Sequence, residues 1–149
     1  MSYSIDTNIL LYSVDESNRF HSQAKTFLIN RIAADDTMYL CWDVVYAFLR
    51  ISTHPGIFAT PLKPETAANN MQQIVQHPHV SMLGPTDESL NIFIRLQQEM
   101  HIRGNLVPDA VIASILEVNG IQTIYTLDRD FWKFRALRPE NPFESPNPR

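Results

Sequence analysis

The chain predicts an α/β fold, a mostly parallel central sheet of four or five strands flanked by helices, and three observations carry that prediction. Short apolar runs alternate with helix-length segments along the whole sequence, the pattern of strand–helix–strand units. The longer segments repeat their apolar residues every three or four positions, so each buries one face. At 149 residues and 44% hydrophobic, the chain suits one domain over residues 1–149, with no internal repeat and no linker.

Taken in order, Ser2–Ile5 reads as a strand ending at Asp6, and Asn8–Tyr12 opens a helical turn. From Asn18 to Ala33, Phe20, Ala24, Phe27, Leu28 and Ile32 recur at helical spacing. Asp35-Asp36 breaks the pattern before the strand Met38–Trp42. Asp43 is then a favourable cap for a helix over Val44–Ser52. The stretch Thr53–Pro64 holds three prolines and a glycine and reads as a loop. Pro64–Gln76 is helical and stops at His77-Pro78. Val80–Leu83 is a third strand. Thr86 caps a helix to about Met100, its inner stripe and margin drawn from Leu90, Phe93, Ile94, Leu96 and Gln97. Pro108 falls at the first position of the next helix, which Asn119-Gly120 stops. Gln122–Thr126 is a fourth strand and Ala136–Arg138 a short fifth, followed by a proline-rich tail.

Composition excludes several functions. The net charge of −4 argues against a general nucleic-acid coating protein. A slight basic bias appears after Gln122, where Arg129, Lys133, Arg135, Arg138 and Arg149 outnumber Asp128, Asp130, Glu140 and Glu144. Cys41 stands alone in an apolar run, so no internal disulfide forms and an inert buried thiol is expected. The N-terminus lacks a basic region followed by a sustained apolar stretch, and no window approaches 18 apolar residues; a cytoplasmic protein is the expectation. No glycine-rich phosphate loop, Cys/His zinc spacing or Ser-His-Asp pattern occurs.

What remains is carboxylate chemistry. Asp6, Asp109 and Asp128 each stand at the boundary of an apolar element, with Asp130 close behind the last. Each has a local explanation by itself: helix cap, helix-dipole partner, turn residue. Together they fall where sites form in open parallel sheets, just beyond the carboxyl ends of strands. Ionised carboxylates gathered there would repel by about 4 kcal/mol per close pair at an effective dielectric of 20, and a divalent cation is the usual remedy. Asn8 and Thr126 stand beside two of them as hydrogen-bonding support.

Three segments, Ser4-Ile5-Asp6-Thr7-Asn8-Ile9-Leu10-Leu11-Tyr12, Arg103-Gly104-Asn105-Leu106-Val107-Pro108-Asp109-Ala110 and Thr126-Leu127-Asp128-Arg129-Asp130-Phe131, resemble the PIN-domain ribonucleases, specifically VapC-like toxins of prokaryotic toxin–antitoxin pairs. Trp42 through His54-Pro55 is similar to one subgroup of these toxins. The resemblance implies a three-layer PIN-like fold and RNA cleavage with Mg²⁺ or Mn²⁺. It also implies a cognate antitoxin covering the site, and a homodimer. On it, Asp6, Asp109 and Asp128 would hold the metal, Asp130 would place a second ion or a water, and Asn8 and Thr126 would fix carboxylate rotamers. Arg50, Arg103, Arg129 and Lys133 are the candidates for RNA phosphate contact. One departure stands out: where many PIN domains carry a Glu in the helix after the second strand, this chain has Ala47. Asp43, one helical turn earlier, and Asp130 are the residues able to replace it, and which does so is open.

The missing Glu keeps a second reading in play, a catalytically impaired PIN-like interaction module that binds RNA or protein without cutting. A phosphate-accepting regulatory domain or phosphohydrolase is a third, needing a lysine near a nucleophilic Asp, a part only Lys133 could fill. Metal-free acid–base chemistry by His54, His77, His79 and His101 is disfavoured because these sit beside prolines or at helix ends. Tyr39 and Trp42 lie in an apolar run and are expected in the core rather than against bases.

Overall fold

The computed structural model describes residues 1–144; the end of the proline-rich tail, with Arg149, lies outside the described residues. Five strands, β1 (Ser2–Ile5), β2 (Thr37–Cys41), β3 (Val80–Leu83), β4 (Thr123–Tyr125) and β5 (Arg138–Glu140), form one sheet in the order β3-β2-β1-β4-β5. Every neighbouring pair is parallel. Parallel neighbours require crossovers, and the chain supplies them as α1 (Thr7–Val14) and α2 (His21–Ala33), then α3 (Trp42–Ser52) and α4 (Pro64–Val75), then α5 (Asp87–Met100) and α6 (Leu106–Val118). Right-handed crossovers place α1–α4 on one face of the sheet and α5–α6 on the other. The packing agrees: α1 lies against α2 and α3, α3 against α4, and α5 pairs with α6.

A sheet covered on both faces has to be apolar along its strands, and Tyr3, Ile5, Met38, Leu40 and Ile124 are fully buried. Cys41 joins them, and burial pushes its thiol up to about 12, so it is inert as expected. The edge strand β5 is closed to further pairing. Arg138 N donates to Gln122 O at 2.7 Å and Glu140 O accepts from Thr126 N at 3.0 Å, so Pro139 between them turns outward with no N–H to offer.

Several local expectations shift. Met38–Cys41 is strand, but Trp42 begins α3 and is 39% exposed, stacked at a tilt with Tyr46 instead of entering the core. Cys41 is therefore the cap, and Asp43 sits in the first turn, where its charge complements the helix dipole. Pro108 is the third residue of α6, not the first; the whole first turn lacks N–H acceptors, so a proline costs little anywhere in it. The fifth strand starts at Arg138, because Leu137 N still bonds Phe134 O at 3.1 Å in a turn. On α5, Leu90 and Ile94 point outward, while Ser89 and Leu96 are buried. Thr86 does cap α5, in a reciprocal pair with Ser89. Gly120, in the left-handed region at φ 69°, ends α6 as Asn119-Gly120 predicts.

Candidate active site

The strand order reverses direction between β1 and β4, and both strands end there in the motif residues. Crevices of this kind open at the carboxyl ends of strands either side of such a reversal. The β1–β4 register, carried one residue on, sets Asp6 level with Thr126. Asp6 N donates to Tyr125 O at 3.0 Å, which ties the two strand ends together.

Asp6 is 6% exposed and caps α1, its Oδ1 accepting from Thr7 N at 2.7 Å. Its Oδ2 accepts from Thr126 Oγ1 at 3.0 Å. The same Thr126 hydroxyl accepts from Asp128 N at 2.9 Å, and Asp128 Oδ1 accepts from Asp130 N at 2.9 Å. Thr126 is thus the joint of a chain of hydrogen bonds that orients Asp6 on one side and the Asp128–Asp130 loop on the other. Asp128 caps the 3₁₀ turn Arg129–Lys133.

Asp109 comes from the first turn of α6, and its carboxylate meets those of Asp128 and Asp130, one oxygen from each lying within 4.8 Å of the others. The sequence nominates Asp6, Asp109 and Asp128 as the metal-holding trio; the tightest set has Asp130 in place of Asp6. Asp6 is still close enough to act on the group. Burial, then the charges of Asp128, Asp6 and Asp130, push the Asp109 carboxyl up to about 7, against a lowering pull from Lys133. Burial also raises Asp6 to about 6, opposed by its bonds from Thr126 and Thr7. Lys133 Nζ reaches Asp130 Oδ1 at 2.8 Å, a side-chain cation already drawn to the cluster. Three carboxylates this close offer an oxygen donor set that fits a hard divalent cation.

The remaining nominated residues are spread along the rim and beyond it. Asn8 is the second residue of α1 and half-buried. Arg129 is exposed and lines a groove together with Thr126. Arg103 is exposed in the turn before α6. Arg50 lies in the last turn of α3, about 12 Å along the axis from where that helix leaves the rim. Asp43 and Ala47 are half-buried on α3, and Asp43 is not one of the clustered carboxylates. Nominated histidines support backbone: His54 Nδ1 accepts from Gly56 N at 2.9 Å, His77 Nδ1 accepts from His79 N at 3.1 Å, and His79 Nδ1 lies 2.9 Å from Ile32 O at the end of α2. Trp132 is the functional candidate that pattern reading passes over. Its signal was its place beside Phe131 in a short polar turn, where two adjacent aromatics cannot both face inward.

The family model for the PIN domain matches residues 3–137. Ribonuclease VapC48 of Mycobacterium tuberculosis is 36% identical over 143 residues, covering 96% of this chain and 99% of that protein. Ribonuclease VapC37 of the same organism is 29% identical over 138 residues, with 93% and 95% covered. Among solved structures, VapBC2 from Rickettsia felis bound to a promoter DNA fragment aligns with a TM-score of 0.66 at 19% identity, over 95% of this chain and 98% of that one. M. tuberculosis VapC20, a sarcin–ricin loop cleaving toxin, aligns with a TM-score of 0.66 at 17% identity, over 92% and 99%. The chain belongs to the PIN-domain family.

Proposed function

We propose that this protein is an endoribonuclease, the toxin of a toxin–antitoxin pair, hydrolysing RNA phosphodiester bonds in the cytoplasm at its acidic centre with Mg²⁺ or Mn²⁺. One observation carries the reading: carboxylates from two distant segments, Asp109 and Asp128–Asp130, lie within 4.8 Å, and a buried third, Asp6, is bonded into the same network. When bound by Asp109, Asp128 and Asp130, with Asp6 beside them, the cation would activate a water and offset charge building on the phosphate.

The chain's own groups set up that chemistry. Thr126 keeps Asp6 from rotating, because its hydroxyl is committed on both sides. Asp130 N holds Asp128 Oδ1, which leaves Asp128 Oδ2 free to ligate. Lys133 pairs with Asp130, an exposed contact that would yield to a bound cation. Attack by water with cleavage of the P–O3′ bond leaves a 5′-phosphate and a 3′-hydroxyl, whereas attack by a ribose 2′-hydroxyl with loss of the 5′-oxygen would leave a cyclic phosphate. Absence of a Glu at position 47 trims the outer ligand supply but leaves these four carboxylates intact, so a non-cutting interaction module is the less favoured reading.

A cognate antitoxin and a second copy of this chain are the proposed protein partners. For the antitoxin, the support is that solved structures sharing the fold include toxin–antitoxin complexes. For the homodimer it is the outward pair Leu90 and Ile94 on α5, beside a small apolar groove lined by Phe93 and Val111.

The test is incubation of the purified protein with structured RNA in Mg²⁺, in Mn²⁺ and in EDTA, with the product ends mapped. Cleavage in metal alone, 5′-phosphate ends, and growth arrest relieved by Asp128→Asn are expected. Metal-independent cutting or cyclic phosphate ends would overturn the mechanism, and no cutting in either metal would overturn the function.

A further inference from the structure

An open groove of about 1270 Å³ runs beside the acidic centre, between α2 and the segments that follow β4 and β5. Thr126 belongs to both places, since it lines the groove and its hydroxyl holds Asp6. One wall carries Trp132, 52% exposed although its neighbour Phe131 is wholly buried. The floor includes Phe27 and the largely buried Tyr125, packed edge to face with centroids 4.9 Å apart. Arg31 lies over the Tyr125 ring at 5.3 Å and over Tyr3 at 4.6 Å, which stiffens that floor.

Shape and charge narrow what the groove accepts. It exceeds the roughly 300–1,000 Å³ of small-molecule pockets, so it fits part of a polymer. Arg31 and Arg129 are matched in it by Glu140 and Glu144, so it has no excess positive charge for a run of phosphates. The exposed indole of Trp132, with Arg129 and Asn141 on the same lining, suits a nucleobase, whose face stacks and whose edge hydrogen-bonds. Asn141 Oδ1 accepts from Phe143 N at 2.9 Å, which leaves its amide N–H groups to face a ligand.

We propose that this groove is a nucleobase subsite of the nuclease: an unpaired base of the RNA strand next to the cut phosphate stacks on Trp132, with Arg129 and Asn141 facing its edge. The inference rests on the ribonuclease reading of the adjoining carboxylates. A paired base has its faces covered and does not enter, so the groove selects single-stranded segments and loops.

Metal-free binding tests the subsite apart from cleavage. The chain has 2 Trp, and Trp42→Phe leaves Trp132 as the sole indole. In EDTA, an unstructured RNA oligonucleotide should quench its fluorescence. Trp132→Ala should weaken binding about 5- to 150-fold, the range for losing one base–aromatic stack, while Trp132→Phe keeps most of the affinity and both variants keep the parent circular dichroism. In Mg²⁺ or Mn²⁺ the Ala variant should raise KM more than it lowers kcat. Unchanged affinity in Trp132→Ala, equal quenching by a duplex of the same sequence, or dependence on Trp132 only for capture of the antitoxin protein would each overturn the proposal. Failure of the nuclease reading shows separately, as absence of cleavage by the parent protein in both metals.

Discussion

Thr126 Oγ1 donates to Asp6 Oδ2 at 3.0 Å across 120 residues of chain, a side-chain bond that reinforces the backbone tie between the first strand end and the fourth. Its second role, accepting from Asp128 N, makes the hydroxyl the mechanical centre of the site. Thr126→Val keeps the shape and removes both functions. A buried carboxylate oxygen then lacks its donor, at a cost of about 1–3 kcal/mol measurable by urea denaturation. Calorimetry with Mn²⁺ should show about 10- to 100-fold weaker binding, and Thr126→Ser should restore most of both.

Asp109→Asn and Asp128→Asn should separate function from stability. Each removes a charge from a cluster that repels itself, so metal-free protein should melt higher, by roughly 3 °C for each kcal/mol relieved. RNA cleavage should fall to background. A variant that loses activity by melting lower in EDTA would show that the carboxylate holds the fold together instead.

The cluster also dictates how stability follows pH. Asp6 and Asp109 have folded-state values of about 6 and about 7, above the ordinary carboxylate value of 3.8. Between 3.8 and 7 the folded chain therefore holds more protons than the unfolded one, and stability falls as pH rises through that window. In EDTA the midpoint of thermal unfolding should drop between pH 5 and pH 8. Saturating Mn²⁺ should flatten or reverse the slope, because a bound cation favours the ionised forms, and Asp109→Asn should flatten it without metal.

Lys133, bonded to Asp130 at 2.8 Å, competes with any metal for that carboxylate. Both partners are substantially exposed, so the competition is weak. Lys133→Met should tighten Mn²⁺ binding by no more than about fivefold at low salt, an effect that fades as ionic strength rises. Weaker Mn²⁺ binding in this variant would mean that Lys133 organises the site.

Where the chain's local rules act alone, they were readable. Phe27 and Leu28 on α2, the Thr86 cap on α5 and the Gly120 stop on α6 follow from periodicity and backbone conformation, which depend only on near neighbours. Misplacements arose where two local signals were equivalent. Trp42 extends an apolar run yet starts a helix, since an aromatic is as compatible with a first helical turn as with a strand end. Leu90 and Ile94 satisfy a helical stripe, but α5 packs chiefly against α6, and its apolar arc is wider than that contact.

The order of apolar and polar residues was enough to set the alternation of strands and helices and their parallel arrangement, because hydrophobic period and capping are properties of short segments; it put four aspartates at element boundaries, and the motif resemblance joined them into one site. It could not set which carboxylates lie closest. Asp130 joins Asp109 and Asp128 while Asp6 sits bonded to Thr126, because those distances come from how α6 and the post-β4 turn dock on the sheet. Trp132 likewise became a groove wall only because Phe131 took the one inward position in its turn. Docking sums small packing energies over many distant residues, and no short stretch of chain contains that sum.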